Sequence, residues 1–172
     1  MIYLDLDDFF IKIFPDIREV TYDDNPKKLY YENCKDGISQ LDCVLSLIKN
    51  DDYYPSFIKK ASYLFVTIST GHYFPNGNKR LALFSLAYFL ALNECKWKDN
   101  SVEEYSVFLK KYFPNYKLSP KNFKTTTGWA LYNFNKAINF KIPEKDFKYN
   151  FNKIKKITEK YLKIILDIKD KY

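Results

Sequence analysis

The segment LALFSLAYFLAL, residues 81–92, constrains the fold of this chain more than any other stretch. It is twelve residues long and carries no charged side chain. Drawn as an α-helix it is apolar on every face, and such a helix has to be surrounded by other elements. The run is too short to cross a bilayer, which takes about 20 residues. The sequence therefore predicts a central helix inside a helical bundle.

Further helices are predicted around it from apolar residues spaced three and four apart. The segments expected to be helical are 38–49, 57–70, 102–113, part of 119–140 and 143–172. Ser56 suits the N-cap of the second of these, Gly71 is expected to end it with a positive φ, and Pro143 suits the first turn of the last.

Two segments are less clear. Residues 2–14 are ambiguous between a strand and a short helix, and 22–36 are interpreted as a loop that could hold one helical turn. The four glycines are too few for a sandwich rich in tight turns. The predicted fold is all-α, with about seven helices.

Composition limits the class of protein. A chain of 172 residues that is 47% apolar has enough material for one folded domain over residues 1–172 and is not disordered. Three cysteines without a C-x-x-C pair and a single histidine exclude a credible zinc site and indicate a reducing compartment. Acidic residues within the first eight positions argue against a signal peptide. We expect a cytoplasmic protein.

The net charge of +7 is unevenly distributed. Residues 1–55 hold six basic and twelve acidic residues, 56–140 hold twelve and four, and 141–172 hold ten and five. A basic body suits nucleotide phosphates, nucleic acid or an acidic partner. A lysine-rich solvated surface is the simpler interpretation. We expect no membrane partner. A role in binding nucleic acid is not favoured, because only the positive charge would support it.

The stretch HYFPNGNKR, residues 72–80, holds the only histidine of the chain between two predicted helices. Backbone N–H groups at a helix start lack intrahelical partners and carry partial positive charge. Gly77 allows a ligand to approach the backbone, while Lys79 and Arg80 add full charges. This combination predicts a site for phosphate oxygens.

His72 lies at the opposite end of this loop. Histidine is the side chain most often used as a general base, and near a bound phosphoryl group it could accept the proton of an attacking hydroxyl. Phe74 is expected to pin the loop to the core. The alternative is a histidine that caps the preceding helix and cations that are merely solvated.

At these residues the chain resembles the Fic/Doc family. The family motif is H-x-F-x-[D/E]-G-N-G-R in Fic proteins and ends N-K-R in the Doc (death-on-curing) branch. The matching positions are His72, Phe74, Gly77, Asn78, Lys79 and Arg80. The flanking helices are also similar, so the resemblance covers about 38–93 as the core. Residues 95–172 find no counterpart and are expected to be a helical extension.

The resemblance implies a helical Fic fold that transfers a phosphate-containing group from ATP, with Mg²⁺, to a hydroxyl of a protein substrate. His72 would be the catalytic base. The loop amides and Asn78 would form an anion hole, and Arg80 would hold nucleotide phosphates. The region 49–56 occupies the place of the flap that aligns the target segment in the family.

Two departures from AMP-transferring members favour phosphoryl transfer. Lys79 stands where they have glycine, and Leu83 stands where they have a second arginine. Both changes resemble the Doc branch, whose members are similar to kinases that modify elongation factor Tu and act as toxins of toxin–antitoxin pairs. AMP transfer is the alternative.

A third departure concerns the metal. Asn76 occupies the acidic position that binds Mg²⁺ in the family, and an amide oxygen is a weaker ligand for this hard cation. The consequence is weak activity, a metal held largely by the nucleotide, or a silent nucleotide- or partner-binding protein.

An internal brake of the form [S/T]-x-x-x-E-[G/N] is absent from the sequence. Glu32 and Asn33 come closest, but Lys28 takes the Ser/Thr place. A separate antitoxin chain is therefore expected.

Overall fold

The computed structural model describes residues 1–20, 31–98, 100–119, 123–140 and 147–167. Most of these residues are helical, and their sheet is one pair of two-residue strands. The predicted all-α class is thus confirmed. The chain divides into two compact units, Met1–Glu94 and Cys95–Lys171. That the whole chain forms one Fic/Doc-like domain stays a prediction.

The first unit contains five α-helices among its described residues. They are α1 (Leu6–Asp8), α2 (Phe14–Val20), α3 (Lys35–Leu47), α4 (Phe57–Thr70) and α5 (Asn78–Leu92). A π-helical turn, Phe9–Ile13, joins α1 to α2, and a 3-10 turn, Tyr31–Asn33, precedes α3. The opening of the chain is therefore helical, and its interpretation as a strand is wrong. The reason is local, because Asp5 and Asp8 form a reciprocal capping box around the first turn.

The boundaries of α3 differ from the prediction. The helix begins at Lys35, three residues before the expected start, so Lys35 and Asp36 are helical rather than part of a loop. The 3-10 turn Tyr31–Asn33 supplies the helical turn expected within 22–36. The rest of that segment, through residue 30, lies outside the described residues.

The helix buried on nearly every face is α4 rather than α5. Of the fourteen residues of α4, twelve are buried. Helix α5 packs on α4, and Phe57 stacks on Phe89 with 5.2 Å between ring centroids. Ala87 and Ala91 leave an exposed strip along α5. The expectation of a fully surrounded α5 is wrong because the strip is made of small residues, whose exposure to water costs little.

Lys60, on α4, has a side chain that is only 1% exposed. Its Nζ donates to the carbonyl of Ile48 at 2.7 Å and pairs with a carboxylate oxygen of Asp51 at 2.8 Å. A buried ammonium group requires such partners. This lysine therefore ties the C-terminal end of α3 to α4.

The second unit is built around three helices in its described residues. They are α6 (Val102–Tyr112), α7 (Thr126–Ile138) and α8 (Phe147–Ile165). Its core is aromatic, with Phe134 stacked on Tyr161 at 4.0 Å between centroids. Tyr105 and Phe108 complete this cluster.

A short antiparallel pair of strands closes the second unit and was not predicted. Lys96 pairs with Asp167, and Trp97 pairs with Leu166. Helix α8 ends at Ile165, whose carbonyl accepts the N–H of Lys98 at 2.8 Å, so its predicted continuation through 166–167 is wrong. Pro143, expected in the first turn of this helix, lies outside the described residues. None of the described helices has the length and apolar character needed to span a membrane.

Candidate active site

The loop that carries the motif connects α4 to α5 and contains two residues with left-handed backbone. His72 has φ +51° and Gly77 has φ +83°. Gly71 has φ −75°, so the positive φ expected there is wrong and falls one residue later. A Cβ on Gly71 would lie 2.5 Å from the Tyr73 ring and 2.6 Å from the Thr67 carbonyl. This glycine is therefore needed for space and not for its backbone freedom.

Asn78, the first residue of α5, closes the loop through its side chain. Its Oδ1 accepts the N–H of Phe74 at 3.0 Å, and its Nδ2 donates to the carbonyl of Phe74 at 2.6 Å. Both backbone groups of a buried loop residue are thereby satisfied. His72 precedes Phe74 by two residues, a chain distance of at most about 7 Å, so this pair of bonds also limits where the imidazole can lie.

Residues from the 3-10 turn and the start of α3 pack against the loop and support it. The Tyr31 hydroxyl donates to the Gly77 carbonyl at 3.2 Å, and the Cys34 thiol donates weakly to the Tyr73 carbonyl at 3.8 Å. Phe74 is 3% exposed and meets the Tyr31 ring edge-on at 5.0 Å. A Cβ on Gly37 would lie 2.7 Å from the Phe74 ring, so this position requires glycine.

The start of α5 has the features that suit an anion. Its N-cap is Gly77, which has no side chain to bond to the amides of the first helical turn. Lys79 is exposed and Arg80 is half-buried on this turn. The turn thus combines backbone N–H groups, the positive end of the helix dipole and two cationic side chains.

Arg80 contributes a buried cationic donor to this turn. Its Nη1 is buried and has no hydrogen-bond partner among the described residues. Glu32 does not supply one, because one of its carboxylate oxygens pairs with Arg18 and the other is itself buried without a partner among those residues. A buried donor left unpaired costs about 1–3 kcal/mol, and more for a charged group. An oxyanion bound at this guanidinium would remove that cost.

The phenol of Tyr31 is held neutral between the loop and Arg80. Burial raises its pKa from 10 to about 12, the positive charge of Arg80 opposes the rise, and Glu32 adds to it. A neutral hydroxyl is the form that can donate to the Gly77 carbonyl. Tyr31 therefore keeps this bond throughout the physiological range.

The imidazole of His72 is exposed and makes no hydrogen bond to any other described residue. Helix α4 ends without it, since the Gly71 N–H bonds to the Thr67 carbonyl at 2.9 Å. The idea that His72 caps α4 therefore finds no support among the described bonds. The side chain is accessible to solvent.

The residues around Asn76 do not fit a magnesium site supplied by the protein. Asn76 is exposed, and its Oδ1 accepts the N–H of Gly77 at 2.7 Å. Within the described ranges no group of three or more His, Cys, Asp or Glu residues is placed to hold a metal ion. One neutral amide oxygen, already hydrogen-bonded, is a poor ligand for Mg²⁺.

The residues that support the loop were not predicted from the sequence. Tyr31 and Gly37 lie 35 or more residues before the positions they contact, and neither belongs to the motif. Two weak signals were present: Gly37 stands in the first turn of a helix, where glycine is unfavourable, and aromatic residues interrupt a polar loop. Neither signal indicates which residue is contacted.

Gly77→Ala is expected to destabilise the first unit by about 2–4 kcal/mol, because it combines left-handed strain with overpacking. The new Cβ would lie 2.1 Å from the Tyr31 hydroxyl oxygen. Urea unfolding measures the change. Gly128→Ala is the matched control, since its φ is ordinary and its Cβ meets the Thr125 Oγ1 at 3.0 Å and the Phe123 ring at 4.0 Å. In a Tyr31→Phe background the cost of Gly77→Ala should fall. An equal cost in both backgrounds would contradict the collision.

The raised pKa of Tyr31 makes the stability of the first unit sensitive to alkali. The folded state keeps the Tyr31 proton up to about pH 12, whereas the unfolded state loses it near pH 10. The contribution of this hydroxyl to the free energy of unfolding is therefore present below pH 10 and disappears between pH 10 and 12. One pKa unit corresponds to about 1.4 kcal/mol. The advantage of the wild type over Tyr31→Phe in urea unfolding should therefore shrink across this interval. If the free energies of unfolding of the two proteins changed with pH in parallel, the raised pKa of Tyr31 would be contradicted.

Comparison with known proteins places the same loop in a family context. A model of the Fic/DOC family matches residues 12–90, just under half of the chain. The match begins 26 residues before the expected start at 38 and so takes in Tyr31 and Gly37 as well as the motif. No curated protein and no solved structure gave a match. Residues 12–90 of this chain are thus the part that matches the Fic/DOC family, without a distinction between its branches.

Proposed function

We propose that this chain is a Fic/Doc-type protein-modifying enzyme that uses ATP, and that its reaction is phosphoryl transfer to a protein hydroxyl. The single observation that carries the proposal is the buried Nη1 of Arg80 on the first turn of α5, which has no hydrogen-bond partner among the described residues. An arginine in that place fits phosphate oxygens, which it can bind with two parallel hydrogen bonds. The match of the Fic/DOC model over residues 12–90 supports the same interpretation.

The proposed step uses His72 as general base. The hydroxyl oxygen of the protein substrate attacks the γ-phosphorus of ATP, the bond from that phosphorus to the β-phosphate oxygen breaks, and ADP leaves. The imidazole accepts the hydroxyl proton. A base of this kind contributes roughly 10²–10⁴-fold in rate. The exposure of His72 at the edge of the loop suits a macromolecular substrate.

Phosphoryl transfer is preferred to AMP transfer because of two residues on α5. Lys79 fills space that a glycine would leave open, and Leu83 is half-buried and cannot contact phosphate as an arginine would. The tail of ATP thus has fewer protein contacts beyond those of Arg80. In AMP transfer the attack would fall on the α-phosphorus and release pyrophosphate, which requires a different placement of the same tail.

The biological setting proposed is that of a toxin with a separate antitoxin chain, acting in the cytoplasm on a translation factor similar to elongation factor Tu. The support is the Doc-like N-K-R ending of the motif and the absence of an internal [S/T]-x-x-x-E-[G/N] brake in the sequence. Glu32, the nearest candidate for such a brake, is paired with Arg18.

Radiolabel from ATP tests the reaction directly. The protein, Mg²⁺ and elongation factor Tu are incubated with γ-³²P-ATP or α-³²P-ATP, and label on the factor is counted. We expect label from the γ-position only. His72→Asn should lower the rate about 10²-fold or more, because asparagine tolerates the left-handed backbone of position 72 but cannot act as the base. Label from the α-position would indicate AMP transfer, and equal rates for both proteins would eliminate His72 as the base.

A silent nucleotide-binding protein is the second candidate, and Asn76 is the observation that favours it. Asn76→Asp keeps the oxygen that accepts the Gly77 N–H and adds the charge that Mg²⁺ prefers. We expect this variant to raise the transfer rate at least tenfold at low Mg²⁺ concentration, with Asn76→Ala as the control that removes the oxygen. ATP binding without transfer by the wild type, with activity gained in Asn76→Asp, would support the silent candidate. No gain at any Mg²⁺ concentration would show that the missing carboxylate is not limiting.

A further inference from the structure

We propose that the second unit contains a separate binding site for a ligand that carries a short chain of phosphate groups. The site is a cavity of about 500 Å³ beside the end of α6 and the middle of α8. Its lining consists of Tyr112, Asn152, Lys153, Lys156, Ile157 and Lys160. Ligand cavities for small molecules commonly measure about 300–1,000 Å³, so the space suits a nucleotide-sized ligand.

The charge of the lining points to an anion. Three of the six lining residues are lysines and none is acidic. Within the part of the chain that the structure describes, no carboxylate forms an ion pair with Lys153, Lys156 or Lys160. Like charges that line one cavity repel each other, and a multivalent anion would offset the repulsion.

The spacing of the lysines indicates several phosphates in a row. Positions 153, 156 and 160 follow the three- and four-residue spacing of one helix face, and the intervening Ile154 and Ile157 are buried. Seven residues of helix span about 10 Å. A single inorganic phosphate is too small to meet ammonium groups distributed over that length, whereas a triphosphate or a few linked nucleotides can.

Tyr112 gives the cavity an aromatic wall. The ammonium groups of Lys111 and Lys160 both lie 5.7 Å from the centroid of its ring. These contacts hold one lysine of the lining in place, which lowers the entropy lost when an anion binds. Asn152, exposed on the same helix, adds an amide that can donate to a phosphate oxygen.

Phosphate is favoured over the carboxylates of an acidic peptide for two reasons. Lysine ammonium groups act as strongly hydrated point charges, and each phosphate offers more charge per volume than a carboxylate side chain. The phosphates could come from a nucleoside triphosphate or from a short nucleic-acid strand, which share this chemistry.

This site is independent of the proposed transfer reaction. All its residues lie after residue 94, in the second compact unit and outside the segment that matches the Fic/DOC model. Binding is therefore tested in the full chain with Arg80→Ala as the background, so that the first phosphate site does not contribute. Failure of either proposal leaves the other unchanged.

The test measures binding by calorimetry in the absence of Mg²⁺. The probes are inorganic tripolyphosphate, ATP, an eight-residue oligothymidylate and an eight-residue oligoglutamate. The cavity variant is Lys153→Gln/Lys156→Gln/Lys160→Gln. The matched control, Lys110→Gln/Lys117→Gln/Lys124→Gln, changes the net charge equally at exposed lysines outside the cavity. Glutamine has nearly the helix propensity of lysine, and thermal melts confirm that both variants fold.

We expect the cavity variant to bind tripolyphosphate at least tenfold more weakly than the background protein, with the control unchanged. For the oligothymidylate, the slope of log K against log salt should fall by about 2, since each phosphate neutralised contributes about 0.7. If ATP binds more tightly than the oligothymidylate, the phosphates are assigned to a nucleotide. If the oligothymidylate binds more tightly, they are assigned to a nucleic-acid strand. Both results support the site.

Equal losses in the two triple variants, tighter binding of oligoglutamate than of tripolyphosphate, or no binding at millimolar tripolyphosphate would each overturn the site. Should the triple variant fail to fold, the three single Lys→Gln variants test the same cavity. Each of them is expected to weaken tripolyphosphate binding in part, and unchanged binding in all three would overturn the site as well.

Discussion

The side chain of Asn78 holds both backbone groups of Phe74, and the geometry of the motif depends on this pair of hydrogen bonds. Asparagine is the side chain for the task because its amide offers an acceptor and a donor on one rigid plane. Aspartate would repel the Phe74 carbonyl, and alanine would leave two buried backbone groups unpaired. Because Asn78 also begins α5, the same residue fixes the loop conformation and the start of this helix.

Packing within the first unit gives the loop a rigid support in addition to the hydrogen bonds of Asn78. Phe74 is enclosed by aromatic rings from two earlier parts of the chain, Phe14 and Tyr31, and these two rings stack at 4.8 Å. Close approach at Gly37 and Gly77 leaves no room for a side chain on either glycine. Close packing of this kind keeps a strained backbone such as that of His72 in one conformation. The segment that matches the family model, 12–90, includes both rings.

Most buried polar side chains discussed in the first unit have hydrogen-bond partners, and Arg80 is the contrasting case. Lys60, Asn78 and Asn93 are buried and bond to backbone groups, and Lys60 also pairs with the Asp51 carboxylate. Arg80 differs from them because one of its guanidinium nitrogens is buried without a partner among the described residues. Native proteins rarely leave such a donor unpaired, so a water, an ion or a ligand is the expected partner. The difference between these residues is visible only in three dimensions.

The sequence by itself determined the all-α class, the helices around the motif and the position of the motif between α4 and α5. These follow from local periodicity and capping, which are written in neighbouring residues. It also determined that residues 72–80 resemble the Fic/Doc motif. The roles assigned to His72, Lys79, Arg80 and Asn76 remain predictions.

Only the tertiary structure decided which helix is most buried, which glycine takes the positive φ, and that Tyr31, Cys34 and Gly37 support the loop. It also decided that a two-residue strand pair ends α8 and that three lysines of this helix line a cavity. These features depend on contacts between residues far apart in the chain, where packing and the pairing of polar groups override local preference. No pattern within a short window carries that information.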